Sequence, residues 1–238
     1  MYYLSTDIET TGLDTDRCQM LEFAAVAWTS DDPYAQYFRV ALKHDRINEY
    51  AEEFAMQMNA DLLAEIDRGG PDVIPATQFY DTFSAWLLRL YWWYECKKLT
   101  LCGKNVAGFD YQFMRRHPGW SNDLGKQLKI GHRMLDVGPM YARDTDDQPP
   151  DLKECLVRSG IGGNVLHKAL DDARAVAACV KVFMMRQTIQ THYSLGVVPS
   201  IDGGPGIFDP GPTVTYISGD YYVREEDNRE GVRYRKFN

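Results

Sequence analysis

Asp7 and Glu9 stand two residues apart in YYLSTDIET, near the start of the chain. On an extended strand, a spacing of two puts both side chains on one face. Two like charges held together there are unfavourable unless a cation joins them. Thr10, Thr11 and Gly12 follow as a turn with free backbone N–H groups. Asn105 and Asp110 flank a strand-to-helix turn in GKNVAGFD, and His167 precedes Asp172 by five residues in HKALDDA. Four carboxylates folded back into one pocket could trap a pair of hard divalent cations, Mg²⁺ or Mn²⁺. An imidazole beside them, with an ordinary pKa of about 6.5, is suited to take a proton. Taken singly, each segment has an ordinary reading. Asp7 and Glu9 could end a strand in water, Asp110 could be a helix-dipole partner, and His167 could be a cap or surface residue. Asp171 must point about 100° away from Asp172 on a helix and is read as solvated or supporting.

Several elements must bring these groups together. Residues 2–8, 20–29 and 36–42 read as three strands joined by short turns, an antiparallel meander. The connection at Ser30, Asp31, Asp32 and Pro33 has strong turn chemistry. Tyr50, Phe54, Met58, Leu62 and Ile66 recur every four residues, which predicts a helix over 48–66 that Gly69, Gly70 and Pro71 stop. A second helix is expected over 77–94, with Phe79, Phe83, Trp86, Leu87, Leu90 and Tyr91 as a core stripe. Leu99 to Cys102 reads as a buried strand, 108–116 as a helix, and 129–136 as another strand. Asp151 should cap a short helix through Ser159 after Pro149 and Pro150. A long Ala- and Val-rich helix follows over 169–189. Three adjacent strands followed by strand–helix alternation imply an α/β fold, a mixed sheet with helices on its faces.

The chain has 238 residues, of which 45% are hydrophobic. That suffices for one well-filled core with decorations. No basic stretch followed by an apolar run opens the chain, and no segment approaches the ~20 apolar residues of a membrane span. The five cysteines are odd in number and lack metal-knuckle spacing. They are expected to be small apolar residues in a reducing, cytoplasmic setting. The net charge of −8 argues against a general nucleic-acid coat protein. It is unevenly spread, however. Eight Lys/Arg against two acids between Lys97 and Arg133 make that stretch +6 and leave −14 for the rest. An acidic body with a basic middle fits a site that collects cations beside phosphates, although a solvated helical face would give the same count.

Together the three acidic segments resemble the DnaQ-like, DEDDh class of 3′→5′ exonucleases. DIETTGL is similar to its first motif, the Asn105 to Asp110 segment to its second, and His167 to Asp172 to its third. The match runs in order from Asp7 to about Ala178. The sister class with tyrosine would place Tyr where Lys168 stands, so the histidine variant is favoured. The resemblance implies an RNase H-like fold, consistent with the strand order. It also implies hydrolysis of phosphodiester bonds from a 3′ end, releasing nucleoside 5′-monophosphates, with two divalent ions. Asp7, Glu9 and Asp172 would hold the first ion. Asp7 would bridge to the second, with Asp110 contributing directly or through water. His167 would be the general base toward the attacking water. Thr10 and Leu13 match the segment that meets the terminal nucleotide. Met58 and Asn59 occupy the helix that lies against it, unless Met58 is core and Asn59 surface. Asn105 would orient the second motif or contact substrate. Asp136, followed by Val137 rather than Thr, is read as structural.

Residues 1–190 are read as one domain of this kind. Residues 191–238, rich in Gly and Pro, form an extension with Val214–Ile217 and Tyr221–Val223 as short strands, a hairpin or a partner-binding arm. Single-stranded DNA is the favoured substrate. RNA-end trimming, or a proofreading or interaction module on a polymerase, are the alternatives, and a homodimer is left open. A binding module without catalysis is disfavoured because all five expected side chains are present.

Overall fold

The computed structural model describes residues 1–29, 35–162, 165, 167–194, 214–217, 220–228 and 231–236. The turn expected at 30–33 lies outside the described residues. β-branched and aromatic residues form β1 (Tyr2–Thr10), and apolar runs form β2 (Met20–Thr29) and β3 (Gln36–Lys43). These three pair antiparallel, as expected. A short strand that the sequence reading missed, β4 (Val73–Pro75), joins β3 in parallel. On the other side, β5 (Leu99–Gly103) runs parallel to β1, and β6 (Leu135–Asp136) parallel to β5. The sheet order is β4-β3-β2-β1-β5-β6, so β1 is central and buried on both faces.

Leu4 and Ile8 point to one face, where Phe23, Phe38, Phe79 and Phe83 pack. Tyr3 points to the other, with Ala24, Val26 and Trp28. Helix α3 (Phe79–Leu87), preceded by a 3₁₀ turn at Ala76–Gln78, covers the first face, joined by Phe113 and Met114 of α4 (Asp110–Arg116). The second face is covered by α6 (Val137–Met140), α7 (Leu152–Ser159) and α8 (Ala169–Ser194). Asp151 caps α7 by accepting from Glu154 N at 2.8 Å, as its position predicts.

Several sequence expectations are corrected. The helix expected over 48–66 is two, α1 (Glu53–Met58) and α2 (Ala60–Arg68), broken at Asn59. An Asn side chain that bonds elsewhere competes with the helical ladder. Gly69 does end α2, at φ +76, a conformation glycine adopts without a Cβ penalty. The second helix stops at Leu87 and continues as turns through Cys96. Leu90, Trp92, Trp93 and Cys96 are buried there, whereas Tyr91, expected in the core, is 71% exposed. The strand expected over 129–136 shrinks to β6 and one bridge between Leu99 and Ile130, because Lys129, at φ +56, still belongs to the turn that closes α5 (Asn122–Gln127) and 131–134 make no strand pairing. Helix α8 extends to Ser194, beyond the end expected at Ile189. The tail holds a three-stranded antiparallel sheet of β7 (Val214–Ile217), β8 (Asp220–Asn228) and β9 (Gly231–Lys236), one strand more than expected. All five cysteines are free and four are buried. Among the described residues no helix is long and apolar enough to cross a membrane.

Candidate active site

Strand β1 delivers Asp7 and Glu9 to the face covered by α8. Asp7 pairs with Ala24 and Glu9 with Glu22 across the β1–β2 ladder. The pairing then steps to Thr10 with Met20, so Leu21 is an extra residue on β2. A bulge at this point bends the strand end and ends the regular pairing beside the acids. Asp110 is the first residue of α4, and it is buried, with Oδ1 lacking any hydrogen-bond partner. Asp172 is buried in the first turn of α8, and its N–H donates to Lys168 O at 3.0 Å.

These acids act on one another. Burial pushes the Asp7 carboxyl well above its ordinary value, and the carboxylates of Asp110, Asp172, Glu9 and Glu22 push it further. Burial raises Glu9 to about 8, with Glu22 and Asp172 adding to the rise and a hydrogen bond from Asn59 opposing it. Asp110 is raised to about 8, first by burial and then by Asp136, against its own backbone hydrogen bond. Asp7 is therefore within electrostatic reach of the other three expected carboxylates, and three separate parts of the chain supply the four. Glu22 is a fifth acid that the sequence reading missed. Its signal was an acid inside the otherwise apolar run MLEFAAVAW.

His167 lies two residues before α8, exposed, with its backbone in the left-handed region at φ +50. Few non-glycine residues take that conformation, and such strain gathers at functional turns. Asp171 turns outward to Arg174, at 3.4 Å. Asn105 is also left-handed, at φ +58, and its N–H donates to Asp136 Oδ2 at 2.9 Å. Asp136 Oδ1 accepts from Gly138 N at 2.9 Å, so Asp136 ties the Asn105 turn to the start of α6.

The turn after Glu9 is more tightly held than its sequence suggested. Thr11 N donates to Gln19 O at 2.9 Å and Leu13 N to Glu52 Oε1 at 2.9 Å, so these N–H groups are not free. Thr10 Oγ1 donates to Gly12 O at 2.7 Å. A Cβ on Gly12 would stand 2.6 Å from the Glu52 carboxyl carbon and 2.7 Å from Cys18 Sγ, so a larger residue would have to displace the Glu52 or Cys18 side chain. The Leu13 side chain is 73% exposed beside this rigid turn. Met58 is 51% exposed, whereas Asn59 is 7% exposed and donates Nδ2 to Thr10 O at 3.2 Å. That is the reverse of a core Met58 and a surface Asn59.

The donor set suits a hard divalent cation. It consists of carboxylates only, raised first by burial and then by neighbouring acids, and one buried oxygen is unsatisfied. As the side chains stand, no three His, Cys, Asp or Glu among the described residues close into a ligand group.

No protein-family model and no curated protein matches the sequence. Solved structures match by shape. Escherichia coli exonuclease I in complex with a dT13 oligonucleotide aligns with a TM-score of 0.57 and 17% identity, over 82% of this chain and 43% of that one. The chain shares the fold of the aligned part of exonuclease I. The zinc-bound E. coli exonuclease I–ssDNA complex gives 0.56 and 16%, over 82% of this chain and 42% of that one. Exonuclease I from Methylocaldum szegediense gives 0.54 and 17%, over 82% and 42%. The chain thus spans under half the length of these exonuclease I structures. The exonuclease I fold agrees with the RNase H-like sheet expected from the sequence. On it, the acids gather at the carboxyl ends of β1 and β5, the edge where open α/β sheets bind their ligands.

Proposed function

We propose that this chain is a 3′→5′ exonuclease that removes nucleotides from single-stranded DNA, using two divalent ions, Mg²⁺ or Mn²⁺. The observation that carries the reading is that β1, the start of α4 and the first turn of α8 bring Asp7, Glu9, Asp110 and Asp172 to one end of the sheet, with Asp110 and Asp172 buried and Asp110 Oδ1 unsatisfied. Nothing in ordinary folding favours four carboxylates driven together in this way unless a cation relieves them. Such a pair of ions supplies charge compensation to the phosphate and its leaving oxygen and acidifies the attacking water. Exonuclease I structures with bound ssDNA support the choice of substrate.

Asp7, Glu9 and Asp172 would hold the first ion, and Asp7 with Asp110 the second. His167, on its exposed turn, would take a proton from the attacking water. Water oxygen bonds to phosphorus, and the bond to the 3′-oxygen of the preceding nucleotide breaks. A nucleoside 5′-monophosphate leaves, and the shortened strand keeps a 3′-hydroxyl. The rigid Thr10–Leu13 turn would receive the chain end, with exposed Leu13 and Met58 against the last base. Asn105 would face the same cleft from the second motif. Asn59 would act from behind, holding Thr10 and Glu9 in place.

End-labelled single- and double-stranded DNA and RNA, each with Mg²⁺, Mn²⁺ or EDTA, test this. Stepwise shortening of single-stranded DNA from the 3′ end, abolished by EDTA, is expected. Shortening of RNA alone would favour the RNA-end trimming alternative. A stable shift without shortening in Mn²⁺ would make the chain a binding module. No specific contact favours a polymerase partner or a homodimer.

A further inference from the structure

Glu22 stands directly across the β1–β2 ladder from Glu9, an arrangement that ordinarily destabilises a sheet. It is nevertheless 4% exposed. Both of its oxygens are occupied. Oε1 accepts from Arg39 Nε, on β3, and Oε2 accepts from Ala169 N at 3.2 Å. The far end of Arg39 forks onto Glu65 of α2, with Nη2 donating to Oε2 at 2.9 Å and Nη1 to Oε1. One line of hydrogen bonds, buried at Glu22 and Ala169 and half-buried toward Glu65, thus runs from α2 through β3 and β2 to the first residue of α8.

Ala169 is fully buried, and the N–H at the start of a helix has no partner within the helix. Lys168, before it, has no side chain able to accept. A carboxylate is the favoured acceptor at a helix N-terminus, where it meets the positive end of the dipole. Here that acceptor comes from a strand 147 residues away in sequence. Ala169 lies between His167 and Asp172, two residues after one and three before the other.

We infer that Glu22 is the cap of α8 and a positioning residue of the active site, fixing where Asp172 and His167 stand, and that it is not itself a cation ligand. Arg39 compensates its charge, so the helix is anchored beside the acids by a group already engaged with a cationic side chain. Part of this rests on the hydrolytic reading above, because turnover is one of its measurements. The other two need no substrate.

The full chain is compared with Glu22→Ala, Glu22→Gln and Arg39→Met by hydrogen exchange without metal, by titration with Mn²⁺ alone, and by steady-state cleavage. Glu22→Ala is expected to lose protection at 167–172 by about tenfold, with β5 unchanged. Glu22→Gln, which can still accept from Ala169 N, keeps most of that protection and binds Mn²⁺ within about threefold of the parent, as a non-ligand should. In cleavage, Glu22→Ala lowers kcat about tenfold with little change in KM, and Gln recovers most of it. Unchanged exchange at 167–172 in Glu22→Ala overturns the inference. Loss of Mn²⁺ binding in Glu22→Gln as complete as in Asp7→Ala overturns it too, making Glu22 a ligand. If Glu22→Ala does not fold, Arg39→Met decides: local loss of protection at 167–172 supports the anchor, and unchanged exchange there refutes it. Should the parent cleave nothing, the exchange and Mn²⁺ results still judge the anchor while the nuclease reading fails by itself.

Discussion

Asn59 donates its side-chain amide to Thr10 O at 3.2 Å, tying the break between α1 and α2 to the last residue of β1. The same side chain bonds Glu9 and opposes the rise in its pKa. A helix break is thereby converted into a support for the strand end that carries the acids.

Replacing Asn59 therefore acts on geometry before it acts on substrate. Asn59→Ala leaves a buried carbonyl and a carboxylate short of a donor, a loss of about 1–3 kcal/mol in stability. Asn59→Asp is expected to be worse, because it adds an acid to a site already crowded with them. Urea denaturation of the two variants gives the ranking, and equal stability to the parent would show that the amide supports nothing.

Removing a crowded acid has the opposite sign for stability. Asp7→Asn is expected to raise the melting temperature of the metal-free protein while abolishing cleavage. Asp7→Ala and Asp172→Ala likewise retain the fold and lose activity. Thermal melts in EDTA, set beside cleavage assays in Mn²⁺, check both halves. A fall in metal-free stability for Asp7→Asn would mean that its neighbours do not repel it.

The pH dependence follows from the burial of these acids together with their neighbours' charge. Glu9 and Asp110, each raised to about 8, are protonated in the folded chain over a range where the unfolded chain has ionised. The contribution of these two groups to stability is then greatest below the ordinary carboxylate range and declines as pH rises toward 8. A divalent cation favours the ionised forms, so its stabilising effect must grow over the same interval. Melting temperatures from pH 5 to 8, with EDTA and with Mn²⁺, should diverge as pH increases. Parallel curves would contradict the assignment of these carboxylates as ligands.

His167→Ala is expected to lower kcat by about 10²- to 10⁴-fold, the range for loss of a general base. Mn²⁺ binding, measured by calorimetry, should persist, because the ligands are carboxylates. A rise of rate with pH is expected of the parent and should flatten in the variant. Wild-type turnover across pH would remove His167 from the chemistry.

Local patterns in the sequence determined a good deal. Alternation and β-branched residues marked β1, β2 and β3, and spacing put Asp7 and Glu9 on one face. Asp151 announced the cap of α7, and the four acids with His167 could be named before any contact was known. Each of these is a short-range signal, readable because side-chain direction repeats with the backbone. The tertiary structure decided what depends on distant partners. Tyr91 fitted a helical core stripe but lies exposed, because the helix ends at Leu87. The strand read over 129–136 lost most of its length to turns after α5. Asn59 turned inward because Thr10 and Glu9 were there to receive it. Glu22 meets Ala169 only after the chain has folded β2 against the start of α8. A buried polar group must find a partner wherever one is available, and which partner that is depends on packing that no local stretch of sequence contains.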